Sequence, residues 1–176
     1  MPILAKKAPS YPVCPGGSHI GVCIDVVDMG MVKSNYNGKP KTQHKIRIVW
    51  QTGETQENGK PFHVSKRYTL SLHEKSSLRK DLESWRGRAF TESELEGWDV
   101  EGVLGAGAML SVVQVAQNGN VYANVTAIMR PPKGMALPMI DTTYVRVQDR
   151  KTEDEAPGDG PPEHEEWVPT DDDVPF

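Results

Sequence analysis

Hydrophobic and polar positions follow two different periods along this chain. In residues 19–27, Ile20, Val22, Ile24 and Val26 recur at every second position, which predicts a β-strand with these four on one face. Residues 30–42 break the alternation with Asn35, Asn37, Gly38 and Pro40, so they read as a long hairpin loop carrying Lys33, Lys39 and Lys41 around Tyr36. A second strand is predicted over 43–52, with Ile46, Ile48 and Trp50 on one face and Lys45, Arg47 and Val49 on the other. A polar turn with Asn58-Gly59 follows, and 62–72 reads as strand three. There Tyr68, Leu70 and Leu72 share a face while Arg67 and Thr69 point the opposite way.

The period then lengthens to about 3.6. Ser71-Leu72-His73-Glu74 reads as a capping box, and Leu78, Leu82 and Trp85 recur at helical spacing up to Gly87, predicting an amphipathic helix. A second box, Thr91 to Glu94, and an Asp99 cap predict two short helical turns bracing Phe90 and Trp98. Strands four and five are expected over 108–116 and 121–129, joined at Asn118-Gly119, with Pro131-Pro132 closing the compact part and a further strand over 142–147. Three antiparallel strands, a helical connection and a two-strand hairpin follow the order of an OB-fold, an all-β, five-stranded, partly open barrel with a helix between strands three and four. An α+β sandwich with the same elements is the alternative.

Charge divides the chain differently. Of 24 acids, ten fall in residues 153–176, where there is no Lys or Arg; the remaining 14 face all 20 bases, so the body carries +6 and the tail -10. The division expected is an extended arm over 1–17, rich in Pro and Gly, a domain over 18–152, and an acidic tail over 153–176. The tail's Pro, Gly and acid content predicts disorder. No apolar run approaches the roughly 18 residues of a membrane span, and the first residues lack the apolar core of a signal peptide, so a cytoplasmic location with reduced Cys14 and Cys23 is expected. With His19, those cysteines make at most three ligands, and no fourth falls at zinc spacing; no metal or other cofactor is expected.

Catalytic signatures are scarce. The glycine-rich run Gly102 to Gly107 leads into a strand instead of opening a helix, and the five histidines are scattered over separate elements, so the reading is non-enzymatic. Binding is better supported. Lys33, Lys39, Lys41, Lys45, Arg47, Lys66 and Arg67 are interleaved with Tyr36, Trp50 and Tyr68. On an OB-fold sheet such a set can neutralise phosphates and stack on unpaired bases, making all ten candidate single-stranded DNA contacts. The plainer reading puts Trp50 and Tyr68 in the core and leaves the lysines as a solvated surface.

The chain ends Asp171-Asp172-Asp173-Val174-Pro175-Phe176. This ending resembles the C-terminal tip of bacterial single-stranded DNA-binding proteins, the SSB family, where the usual ending has isoleucine at the position of Val174. The stretch from Tyr68 to Leu82, followed by Trp85-Arg86-Gly87-Arg88-Ala89-Phe90, is similar to phage-encoded proteins of that kind, and the looser likeness of the body covers roughly residues 18–135. The resemblance implies a protein that coats single strands during replication, recombination or repair in the bacterial host and recruits enzymes of those processes through residues 171–176. A homo-oligomer is compatible with it. Physically, a terminal aromatic offers a ring and a carboxylate to one pocket, and the three aspartates suit a basic rim. An RNA-binding module, a protein-only adaptor and a nuclease are the alternatives.

Overall fold

Residues 12–150 are described by the computed structural model, Tyr36 through its backbone alone. Five strands carry the fold: β1 (Gly17–Tyr36), β2 (Lys39–Thr55), β3 (Pro61–Thr69), β4 (Gly107–Gln117) and β5 (Asn120–Met129). They form one open antiparallel sheet in the order β3-β2-β1-β4-β5. The predicted arm overlaps the description only from Pro12 onward, and the predicted tail lies outside the described residues.

The expected loop over 30–42 is instead a ladder. β1 and β2 stay paired to Tyr36 opposite Lys39, and the turn shrinks to Asn37-Gly38, with φ of 49° and 75°. Positive φ at both central residues is the type I′ geometry that matches strand twist, so Asn-Gly here sets a hairpin and the residues before it remain extended. Asn118-Gly119 makes the same turn between β4 and β5, as predicted.

The alternation predicted for β1 is also interrupted. The register passes from Cys23 opposite Trp50 to Asp25 opposite Val49, so Ile24 is an extra residue in a bulge. A bulge reverses which residues face the core. Cys23 and Val26 join the main core, whereas Val22 and Ile24 pack with Val49 in a second, smaller apolar cluster on the outer side of the sheet.

The main core lies on the inner face, where Ile46, Ile48 and Trp50 of β2 meet Val64 and Tyr68 of β3 and Leu110 and Val112 of β4. Over it packs α1 (Ser77–Arg86), burying Leu78, Leu82 and Trp85 as the spacing predicted, and Gly87 closes it in the left-handed region at φ 75°. The helix touches both edge strands, β3 and β5, which approach each other. It is pinned there by hydrogen bonds from Trp85 Nε1 to the Gly107 carbonyl (2.7 Å) and from Ser84 Oγ to the Ile128 carbonyl (2.7 Å).

Its start differs from the prediction. Ser76, not Ser71, is the cap, accepting from the Arg79 amide. Ser71 Oγ accepts from the His73 amide in a turn, because a helix begun at Ser71 would spend its first turn on exposed His73, Glu74 and Lys75, ahead of the first apolar position it buries, Leu78. The second box is as read: Thr91 caps α2 (Glu92–Glu96) reciprocally with Glu94, and Phe90 meets Trp98 edge-on at 5.4 Å. The strand expected over 142–147 is irregular chain ending in a short 3-10 turn, Val147–Asp149. Among the described residues no helix is long and apolar enough to cross a membrane.

Candidate nucleic-acid interface

Strand alternation assigns the outward side chains of the β1-β2-β3 face. Because Ile46, Ile48 and Trp50 point into the core, the odd-numbered row Lys39, Lys41, Gln43, Lys45, Arg47, Val49 and Gln51 faces out. Its partners on β3 are Thr69 beside Lys45, Arg67 beside Arg47, Ser65 beside Val49 and His63 beside Gln51. Lys45 Nζ donates to Thr69 Oγ1 at 2.7 Å. Arg47 and Arg67 sit directly across the ladder. The pairing brings two guanidinium groups together on this part of the face. The row continues onto the paired ribbon through Lys41 and Lys39.

Five of the predicted contacts, Lys39, Lys41, Lys45, Arg47 and Arg67, therefore come together on one face. The others do not. Lys33 pairs with Thr42 and stands on the opposite side of the ribbon. Lys66 lies opposite Ile48, on the inner side, and its Nζ reaches Asp81 of α1 at 2.7 Å. Trp50 has no exposed surface and Tyr68 1%. Both are core residues and leave the list of base-stacking candidates, because their strands' even rows face the helix. Tyr68 OH donates to Asp81 at 2.8 Å; burial first, then the Asp81 charge, pushes its hydroxyl pKa well above the ordinary value. The Tyr36 side chain and residues 171–176 lie outside what the structure describes.

A segment that sequence reasoning missed completes this face. Residues 138–150 cross the outer side of β1 and β2 as a strap, fastened at two places. Gln51 Nε2 donates to the Met139 carbonyl (2.6 Å), and Gln51 Oε1 accepts from the Asp141 amide (2.8 Å). Further along, Asp25, its side chain 1% exposed, accepts from Tyr144 OH (2.9 Å), Arg146 Nε (3.1 Å) and the Val147 amide (2.9 Å). Hydrogen bonds to an ionised group contribute about 1.5–3 kcal/mol each against about 0.5–1.5 for neutral ones, so Asp25 is the stronger fastening. Burial raises its pKa, but the Val147 amide, the Tyr144 hydroxyl and Arg146 together outweigh burial and hold it below the ordinary carboxylate value. Arg146 also pairs with Glu101 at 2.6 Å.

Between the fastenings, Tyr144 packs on the Val22, Ile24 and Val49 cluster, meets His63 edge-on at 5.2 Å and lies under the Arg150 guanidinium at 5.7 Å. Burial and the Asp25 carboxylate push the Tyr144 hydroxyl up to about 12, against the opposing charges of Arg150 and Arg47. Burial, ahead of the opposing Asp141 charge, lowers the pKa of His63, which favours the neutral imidazole. The sequence reading of this segment is the strand expected over 142–147, and nothing local points to Asp25, more than a hundred residues away.

No protein-family model matches the sequence, and no curated protein matches it closely enough to count as a relative. The residues themselves carry the reading. Cys14 and Cys23 are buried free thiols, His19 Nε2 is engaged with the Pro15 carbonyl at 2.6 Å, and among the described residues no cluster of three His, Cys, Asp or Glu is placed to hold a metal. Burial pushes the Cys23 thiol up to about 12, which makes it an inert core group.

Proposed function

We propose that the chain is a single-stranded DNA-binding protein: its outer sheet face and paired ribbon hold the strand, and its acidic C-terminal tip recruits replication, recombination or repair enzymes. The observation that carries this reading is the outward row Lys39, Lys41, Lys45 and Arg47 with Arg67 across the ladder, a line of cations along β2 about 7 Å apart except for one step of about 13 Å across Gln43. A line of that kind suits a continuous chain of phosphates better than a compact ligand. The sheet order, with α1 packed against both edge strands, supports an OB-fold architecture, in which this is the face that receives single strands. The resemblance of residues 171–176 to the SSB tip supports the second half of the reading.

The test is titration of the full chain with oligo(dT), an RNA oligomer of equal length and a DNA duplex over a range of salt. Five phosphate contacts on a single strand give a slope of about -3.5 in log K against log salt. Preference for DNA single strands with that slope is the expected result, and a flat salt response or equal duplex binding rejects the phosphate row.

A further inference from the structure

We propose that Tyr144, presented by the strap, is the base-stacking residue of this face, and that with His63, Arg47, Arg67 and Arg150 it forms a subsite for one base and its adjoining phosphates. The inference rests on the single-strand reading above and deepens it by naming the group the base meets.

The need for such a residue is physical. A phosphate row alone binds any polyanion, whereas single strands are selected by aromatic surface that unpaired bases can cover. With Trp50 and Tyr68 in the core, the apolar surface among the described side chains at the centre of the outer face is the aliphatic cluster Val22, Ile24 and Val49, which the strap's Tyr144 covers. The strap changes the chemistry there. Its Tyr144 ring sits on Val49, and the next outward residue of β2 is Arg47, with Arg67 opposite it. His63 closes one side of the ring at 5.2 Å.

Fastenings on both sides hold the ring in place. Gln51 binds the chain at Met139 and Asp141 before it, and Asp25 binds the Tyr144 hydroxyl itself together with Arg146 and Val147 after it. A ring immobilised before binding loses little conformational freedom when a base covers it. Arg150 stands over the ring in this structure, exposed, its Nε bonded to the Val145 carbonyl at 3.2 Å. An exposed cation–π contact is weak. A base that takes its place over the ring releases the guanidinium toward the flanking phosphate, so nothing strong is lost on binding. The Tyr144 hydroxyl bonded to Asp25 stays away from the base, which makes the contact a stacking one and indifferent to base identity.

The test uses the full chain and its Tyr144→Leu variant, each titrated with oligo(dT) and with an abasic phosphodiester of equal length, with melting curves alongside. The expected wild-type preference for oligo(dT) over the abasic chain is about 5- to 100-fold, and Tyr144→Leu should lose most of it while still binding the abasic chain like the wild type. A variant that melts cooperatively and keeps the full preference overturns the platform and leaves the single-strand reading standing. Wild-type chain that binds neither oligomer overturns that reading, and the platform with it. Where Tyr144→Leu fails to fold, photocrosslinking of the wild type to a 5-iodouracil oligomer decides: adducts on Tyr144 or His63 support the subsite, and adducts confined to the ribbon overturn it.

Discussion

With no exposed surface and its ring centroid 5.7 Å from that of Trp85, Trp50 joins β2 to α1 through the centre of the core. Trp50→Ala should cost about 3–5 kcal/mol of stability, the lost burial plus the void left between sheet and helix. Trp50→Phe should cost clearly less, because the indole Nε1 is buried with no hydrogen-bond partner and its removal takes away an unsatisfied donor. Urea denaturation of both variants measures this, and oligo(dT) affinity of the folded fraction should match the wild type. Strand alternation grouped Trp50 correctly with Ile46 and Ile48. It did not say that this row, and not the row of Lys45 and Arg47, would meet the helix. Lys66 makes the complementary case: a lysine read as a surface cation stands on the core side because Asp81 of α1 waits there at 2.7 Å.

Among the elements, the strap depends most on a single group. Asp25 has a folded pKa below its unfolded value of about 3.9, so the stability it contributes is fully present above that value and is lost as pH falls through the folded pKa. Melting temperature should therefore decline below about pH 4, and hydrogen exchange of the amides around Val147 should accelerate over the same range. Asp25→Asn removes the charge while keeping the shape; it should cost about 2–4 kcal/mol near neutral pH and show a smaller acid decline than the wild type. Equal acid sensitivity of the two chains would place the titrating group elsewhere. The short elements were easier to read, since Thr91 with Glu94 and Asn118 with Gly119 act through neighbouring backbone alone. The ribbon over 30–42 is the opposite case: Asn37-Gly38 is a local turn signal, but Asn35 and Pro40 beside it are paired across a ladder that needs both strands present.

For the whole molecule, the strap has a consequence for charge. Arg150, its last described residue, stands over Tyr144 on the face that carries the basic row, and the ten acids of residues 153–176 come next in the sequence. Truncation after Lys151 should tighten oligo(dT) binding, most at low salt, where the Debye length is longest. Deleting Phe176 alone removes no acidic side chain and leaves a terminal carboxylate, so DNA affinity should stay nearly constant while recovery of replication or repair enzymes in a pull-down falls. Equal recovery with and without Phe176 would make the tail a charge screen alone.

The sequence by itself determined the all-β class, the five strands, the helix carrying Leu78, Leu82 and Trp85, and the polarity between a basic body and an acidic end. Each of these is a local quantity, a period, a turn residue or a sum of charges. Tertiary structure alone decided which row of each strand is buried, where the Ile24 bulge turns Asp25 outward, and that residues 138–150 fold back over the sheet. These depend on partners distant in the chain. An irregular segment has no period of its own, and its position comes from the groups it satisfies: a buried carboxylate and one glutamine amide, which no stretch of local sequence identifies as its partners.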